Sequence, residues 1–274
     1  MNRRRFIGAG GLALATALAG CIGGLDGERG ELVEQTFPSP EIEEVRVHNA
    51  VGDVEVLAQG TGGVTARVEK RARSEAGLDK IGVDIGVADG VLSVETTVDT
   101  GVFELSGDSP NAAVTVTVPA SGPGPVVSAV LADIGDVTVM GTRGDGRVRS
   151  GLGDITVSGV DGYLTLGSQL GAIRAQDVTG LDDVHTELGD VMVDVHGVRG
   201  DLSIGTELGE VSVGVAEDLD LDVLVETEGG ITSNLPLADS QVVHSRLTGR
   251  LNRGGNRLHA YSELGDVSLR SITS

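Results

Sequence analysis

The chain has 274 residues, with 20 Lys plus Arg against 41 Asp plus Glu and a formal net charge of −21. That length supports one large or two ordinary domains with ample core. The charge excludes a basic nucleic-acid binder, and the single cysteine excludes a disulfide scaffold.

Residues 1–20 read as an export signal and not as part of a fold. Arg3, Arg4, Arg5 and Phe6 form a positive region of twin-arginine type, followed by an apolar run from Ile7 to Ala19. That run is shorter than the roughly 20 apolar residues needed to span a bilayer. It closes on Leu18-Ala19-Gly20 before Cys21, which resembles a lipobox, where a peptidase cuts before the cysteine and lipid joins its thiol. The reading places the protein on the extracellular face of the cell membrane, lipid-anchored through Cys21. With its only thiol lipidated, the mature chain has no disulfide, so packing and backbone ladders must supply its stability. The twin-arginine route carries folded proteins, which puts folding before export.

Loss of Arg3, Arg4 and Arg5 takes the net charge from −21 to −24, and Lys70 and Lys80 are the only lysines. Few lysines, small hydrophobes and dense carboxylates resemble the proteins of salt-loving archaea. Such a surface repels itself at low salt and is screened near 1 M, where the Debye length is about 3 Å. The acidity is read as solvent adaptation, not as a site for a basic ligand.

From Cys21 to Glu41 the chain has no apolar period and carries Phe37-Pro38-Ser39-Pro40, so residues 21–41 are expected as a flexible tether. Beyond it, short alternating runs such as Val45-Arg46-Val47, Val54-Glu55-Val56 and Val114-Thr115-Val116-Thr117-Val118 have period two and are rich in β-branched residues. Only Ser74 to Lys80 looks like a loop or a short helical turn.

Self-similarity is the stronger signal. Ile134-Gly135-Asp136-Val137, Leu152-Gly153-Asp154-Ile155, Leu188-Gly189-Asp190-Val191, Leu208-Gly209-Glu210-Val211 and Leu264-Gly265-Asp266-Val267 repeat one motif. Leu170-Gly171-Ala172-Ile173 and Glu228-Gly229-Gly230-Ile231 fill gaps, and Val51-Gly52-Asp53-Val54 is an early copy. Starts at 134, 152, 170, 188, 208 and 228 step by 18 or 20 residues. Within one unit, Ile155-Thr156-Val157 forms one strand, Ser158 to Gly162 turns, Tyr163 to Leu166 runs back, and Gly167-Ser168-Gln169 is expected to turn again. Two short strands cannot bury their own apolar face, whereas coils stacked about 4.8 Å apart can. The expected fold over residues 42–274 is therefore all-β: a single-stranded-coil β-solenoid (β-helix) with 18–20-residue coils. Its inward ladder would run Ile155, Ile173, Val191, Val211 and Ile231, with corner glycines at positive φ.

The same residues carry a family resemblance. The Val-x-Val-x-Asn-x-x-Gly-Asp-Val stretch from Val45 to Val54, Val116-Thr117-Val118-Pro119-Ala120, and the repeated Gly-Asp-Val coils resemble the toast-rack family of adhesin-like β-solenoids. The resemblance covers residues 42–274 and implies a cell-envelope protein, linked in some relatives to envelope-stress systems. It transfers no catalytic residue.

Among candidate sites, Asp136, Asp154, Asp190, Glu210 and Asp266 should line one edge, interrupted by Ala172 and Gly230. Such an acidic ladder could hold Ca²⁺, which takes six to eight oxygens, or the acids could simply satisfy their turns. The second reading is preferred because the dense Gly/Asp nonapeptides of calcium solenoids are missing, so no metal and no cofactor are expected. Counting six residues back from the next motif puts Leu164, Asp182 and Leu202 in step; an inward carboxylate is costly, so Leu181 is expected to take the inward place with a one-residue shift. Asp182, Asp183, His185, Glu187 and His196 lack zinc-site spacing, although Asp183 and His185 should share an outer face. Arg246, Arg250, Arg253 and Arg257 either pair with neighbouring carboxylates or form a patch for an anionic partner.

No nucleophile elbow or other catalytic constellation is present. The favoured function is a non-catalytic surface lipoprotein presenting a solenoid for adhesion, envelope structure or partner binding. Its partners would be the membrane, through lipid on Cys21, and an envelope protein or surface polymer, with no nucleic acid. An envelope-stress sensor acting through a membrane partner is the alternative. A β-helix polysaccharide-cleaving enzyme is disfavoured by minimal coils, absent Trp and only two tyrosines, Tyr163 and Tyr261. The carboxy-terminal Val267 to Ile272 is expected as an exposed end rung.

Overall fold

The computed structural model describes residues 21–23, 29–60, 62–99, 109–122 and 124–273. Arg3, Arg4, Phe6 and the whole 1–20 export signal lie outside the described residues, as does the side chain of Cys21. The β-solenoid is confirmed: two 12-stranded sheets face each other, each with a long parallel run at its centre. Every coil gives one strand to each sheet. Tyr163–Leu170, for example, belongs to the long-strand sheet and Ile173–Gln176 to the short-strand sheet.

Alternation explains the core. In Tyr163–Leu170, Leu164, Leu166 and Ser168 point inward, while Tyr163, Thr165 and Gly167 face out. Gly167-Ser168-Gln169 is thus strand and not the turn expected from its composition. The inward residues are almost all Val, Ile, Leu or Ala, which fit the narrow space between the sheets, and Phe37 is the one buried aromatic among the described residues. Each buried Ile or Leu contributes about 1.5–3 kcal/mol.

The corner between the sheets is where the repeat is specified. Gly135, Gly153, Gly171, Gly189, Gly209 and Gly265 have φ between 140° and 152°. A Cβ on Gly171 would lie 2.0 Å from the carbonyl oxygen of Gly153, so the rungs meet too closely for a side chain. Around this corner every polar group finds a partner on an adjacent rung. The Gly153 N–H donates to the Leu170 carbonyl (2.8 Å), and the Ile155 N–H donates to the Ala172 carbonyl (2.8 Å). The Asp154 N–H donates to Asp136 Oδ1 (2.8 Å), and the Ala172 N–H to Asp154 Oδ1 (2.8 Å). Finally, the Gly153 carbonyl accepts from Ser168 Oγ (3.1 Å).

That last bond defines a second, buried ladder. Ser150, Ser168, Thr186 and Ser262 each donate to the corner glycine carbonyl of the preceding rung, at 2.8–3.1 Å. In the coil containing Val45–Val54, Asn49 takes the same place and donates to the carbonyls of Gly52 (2.6 Å) and Ala112 (2.8 Å). Thr206 occupies the row but its hydroxyl has no partner, although the residue is fully buried. Two substitutions one rung apart should therefore diverge. Thr186→Val is expected to cost about 1–3 kcal/mol by stranding a buried carbonyl, whereas Thr206→Val should be neutral or stabilising. Denaturant midpoints of the two variants check this.

The order of coils departs from the order of the chain at both ends. In the long-strand sheet Glu44–Val51 lies between Val91–Val98 and Val126–Ile134, so the first coil in sequence is second in space. At the other end Asn256–Leu264 lies between Leu202–Leu208 and Leu221–Thr227. Its partner strand Val267–Ile272 is sandwiched likewise between Val211–Ala216 and Ile231–Ser233. Two expectations are corrected by this. Val267–Ile272 is an internal rung, not the exposed edge, and the inward ladder runs Ile155, Ile173, Val191, Val211, Val267 and then Ile231.

Antiparallel strands extend the parallel runs at three of the four sheet ends, the short-strand sheet ending on Ile231–Ser233. Ile81–Ala88 pairs with Val91–Val98, and the hairpin of Ala238–Val243 and Arg246–Leu251 lies against Leu221–Thr227. Gly63–Ala72 lies antiparallel to Asn111–Pro119 and is itself covered by Arg29–Pro38. The tether expected over 21–41 is corrected for its described residues: Arg29–Pro38 is a ten-residue strand, and Cys21–Gly23 pairs back onto it. The prolines fit because Pro38 ends the strand and Pro40 lies in a 3-10 turn, Ser39–Glu41. The Ser74 to Lys80 stretch forms the short helix Glu75–Leu78, capped by Ser74 Oγ accepting from the Gly77 N–H (3.0 Å).

Candidate functional site

Three surfaces carry the side chains with functional potential. The first is the corner edge. Ile134, Leu152, Leu170, Leu188, Leu208 and Leu264 stand in register on successive rungs. All six are 42–58% exposed. At one strand spacing per step they form an aliphatic row about 24 Å long. Stacking of neighbours covers their flanks and leaves their tips in water.

Carboxylates border this row on both sides. The expected acidic ladder follows it on the short-strand side, where Asp136, Asp154, Asp190, Glu210 and Asp266 occupy successive corners apart from Ala172. Its chemistry is inter-rung capping: Asp136, Asp154, Asp190 and Asp266 each accept, through Oδ1, from the backbone N–H one rung on, at 2.7–2.9 Å. Gly230 breaks the acidic row but supplies such an N–H to Asp266. On the long-strand side Glu187, Glu207 and Glu263 are exposed beside Leu188, Leu208 and Leu264.

The second surface is the outer face of the long-strand sheet. One outward row there reads Arg149, Gly167, His185, Gly205, Tyr261 and Glu226. Asp183 and His185 share this face, as alternation requires. The Tyr261 ring lies over Gly205, where a Cβ would come within 2.3 Å of it, and reaches His185 Nδ1 through its hydroxyl at 2.9 Å. His259 stacks on Tyr261 with ring centres 5.1 Å apart and meets Glu226 through Nε2 at 3.0 Å. Burial pushes the Asp183 carboxyl above the ordinary carboxylate range, against the pull of His185 and Arg149. Burial likewise raises Tyr261, helped by Asp183, Glu207 and Glu263. Of these, Arg149, Gly167, Asp183, His185 and Tyr261 line a groove of about 780 Å³ that runs on to Asp133 and His48.

The third surface is a set of ion pairs that absorbs several candidates. The register shifts by one between Leu164 and Thr165, so Leu181 is buried opposite Leu164 and Asp182 is the bulged residue. Arg199 pairs with Asp182 (Nε to Oδ1, 2.8 Å) and with Asp145, and its guanidinium sits 4.6 Å from the Tyr163 ring centre. The backbone N–H of Tyr163 and then Arg199 hold the Asp145 carboxyl below its usual range. Asp182 thus has a structural partner. His196 lines a separate turn with Asp161 and Asp177, away from Asp183 and His185. Of the arginine group, Arg246, Arg250 and Arg253 pair with Glu226, Asp239 and Asp220. Arg257 donates its backbone N–H to Asp201 (2.8 Å). Among the described residues, no group of three or more His, Cys, Asp or Glu is placed to hold a metal ion. No helix among them is long and apolar enough to cross a membrane.

Sequence reasoning missed the buried hydroxyl ladder, the aliphatic row and the ring cluster. The first two were readable as Ser/Thr-x-Leu-Gly, which recurs at Ser150, Ser168, Thr186, Thr206 and Ser262. The ring cluster had no such signal, because His185 and Tyr261 lie 76 residues apart in the chain.

Hydrogen-bonded glycine corners and a continuous aliphatic edge define a parallel β-solenoid whose exposed chemistry lies along its length. Residues 33–270 match the Toastrack DUF4097 family, and the chain belongs to it. Three solved structures are similar. A candidate adhesin of Bacteroides fragilis NCTC 9343 is 12% identical with TM-score 0.47, over 88% of this chain and 97% of that one. A candidate lipid-binding protein of Parabacteroides distasonis ATCC 8503 is 14% identical with TM-score 0.40, over 89% and 95%. A candidate cell-adhesion protein of Clostridium sporogenes ATCC 15579 is 11% identical with TM-score 0.36, over 89% and 100%. No curated protein matches the chain.

Proposed function

We propose that this protein is a non-catalytic binding module of the cell surface, held at the outer face of the membrane by lipid on Cys21. The observation that carries the reading is the aliphatic row from Ile134 to Leu264, bordered by carboxylates on the short-strand side and, beside Leu188, Leu208 and Leu264, on the other. A strongly acidic chain that keeps six large aliphatic side chains at the surface, one per rung, presents a continuous apolar strip to a partner. The complementary partner is an envelope protein whose apolar ridge is flanked by Lys or Arg, so that charge sets register and apolar contact sets affinity. Neither a cofactor nor nucleic acid enters this reading.

The test is crosslinking on intact cells followed by identification of what is recovered with the anchored protein. A Cys21→Ser chain should appear in the medium without the partner. A Leu170→Ser/Leu188→Ser chain should stay anchored and folded yet lose the partner at least tenfold. Undiminished recovery with the double variant would remove the edge from the argument, and retention of the Cys21→Ser chain on the membrane would remove the lipid.

A further inference from the structure

Gly167 is a glycine without a local reason. It lies inside the strand Tyr163–Leu170 and has no positive φ. A Cβ placed on it would meet nothing closer than 3.7 Å, at Arg149 Cγ and Nε, followed by the His185 carbonyl at 3.8 Å. Gly151 and Gly205 nearby are different. A Cβ at Gly151 would strike the Asp133 carbonyl at 2.4 Å, and one at Gly205 would strike the Tyr261 ring. A strand glycine that neither backbone nor packing demands weakens the strand and marks a place where something approaches the backbone closely.

What surrounds Gly167 defines what approaches. Arg149 and His185 flank it in register on the two adjacent rungs, about 9.6 Å apart by strand spacing. Arg149 Cγ and Nε border that gap, so a ring seated on the glycine would lie against the arginine stem. Thr165 and Asp183 form one side, and Gln169 and Glu187 form the other. The Arg149 side chain makes no ion pair or hydrogen bond among the described residues, in a molecule where most cations are paired. Because Tyr261 engages Nδ1 of His185, the Nε2 atom remains for a ligand. The site therefore alternates strong donors (Arg149, the Gln169 amide, Thr165) with acceptors (Asp183, Glu187) around an open floor. Hydroxyls that each donate and accept satisfy such a mixture. A carboxylate ligand would oppose Asp183 and Glu187, and a simple cation would oppose Arg149.

We propose that the groove over Gly167 binds a neutral pyranose unit of a surface glycan, with the sugar ring seated on Gly167 and its hydroxyls shared among Arg149, Asp183, Gln169 and His185. This site adjoins the aliphatic edge, with Gln169 and Glu187 standing between the groove and Leu170 and Leu188.

The test uses the full chain as its released Cys21→Ser form, titrated against immobilised neutral, uronate-bearing and amino-sugar oligosaccharides at high salt. Binding of neutral oligosaccharides is expected, with at least a tenfold loss in Gly167→Val, whose β-branched side chain covers the floor. Gly167→Val should melt no lower than the parent, since a β-branched residue suits the strand better than glycine. Arg149→Gln, at an exposed position, should weaken binding without touching the fold and serves as the second variant. Binding confined to uronates or amino sugars, no binding to any sugar, or unchanged affinity in both variants would each overturn the proposal. Loss of the crosslinked partner in the Leu170→Ser/Leu188→Ser chain bears on the edge alone and leaves this site standing.

Discussion

Gly171→Ala is expected to destabilise the protein by about 2–6 kcal/mol. Two costs combine. A φ of 152° is a conformation that an L side chain tolerates only at about 1–3 kcal/mol. The new Cβ would also overlap the Gly153 carbonyl at 2.0 Å, and relieving it means prising two rungs apart, for roughly another 1–3 kcal/mol. The Gly153 carbonyl accepts the Ser168 hydroxyl and the Gly171 carbonyl accepts the Thr186 hydroxyl, so displacement spreads to both neighbours. Against a typical stability of about 5–15 kcal/mol this removes much of the margin. Equilibrium denaturation of Gly171→Ala beside Gly167→Ala provides the contrast. The second change adds the same methyl where there is room and should stabilise by up to about 1 kcal/mol. Equal midpoints for the two would refute the close-contact account of the corner.

Ending the chain at Gly255 is expected to undo more than the rung it deletes. In an ordinary solenoid, removal of the last coil exposes the one before it and leaves the rest intact. Here Asn256–Leu264 and Val267–Ile272 hold the coil of Leu221–Thr227 and Ile231–Ser233 onto Leu202–Ala216. Deletion removes the buried side chains of Leu258, Val267 and Leu269, worth about 2 kcal/mol each, and leaves residues 221–251 paired only with one another and detached from the stack. Hydrogen exchange should show loss of protection throughout 221–251 and retention before 195. Protection throughout 221–251 equal to that of the full chain would mean that Leu221–Thr227 re-pairs directly with Leu202–Leu208, and that the interposed rung is dispensable.

The repeat was legible in the sequence because each rung reuses one corner. Gly153 or Gly189 can be replaced by nothing else, and the step of 18 or 20 residues follows from a coil of fixed circumference. The shift that buries Leu181 was legible too, since an inward Asp182 could not be satisfied. Rung order was not. Val211 is followed by Ile231 in sequence and by Val267 in space, and both satisfy an inward aliphatic position equally well. Local pattern fixes what a strand is, but not which neighbour it takes when two candidates share that pattern. The same limit hid the pairing of Arg29–Pro38 with Gly63–Ala72, where polar outward residues masked a strand covered on one side only. Composition misled at Gly167, which looks like a turn and lies in a strand.

The pairing of Cys21 with Glu31 alters how the proposed lipid anchor would act. A free tether of residues 21–41 could let the solenoid sweep a hemisphere of about 70 Å radius. With Cys21–Gly23 joined to the sheet margin, the attachment point lies within one strand spacing, about 5 Å, of the folded body. Anchored there, the molecule stands as a post whose freedom is tilt and spin, not travel. Its two surfaces then patrol only a shell as deep as the stack is tall. Under the proposed anchoring, a partner on a facing cell or in the envelope would have to come to that height, and neighbouring copies would meet side by side instead of tangling.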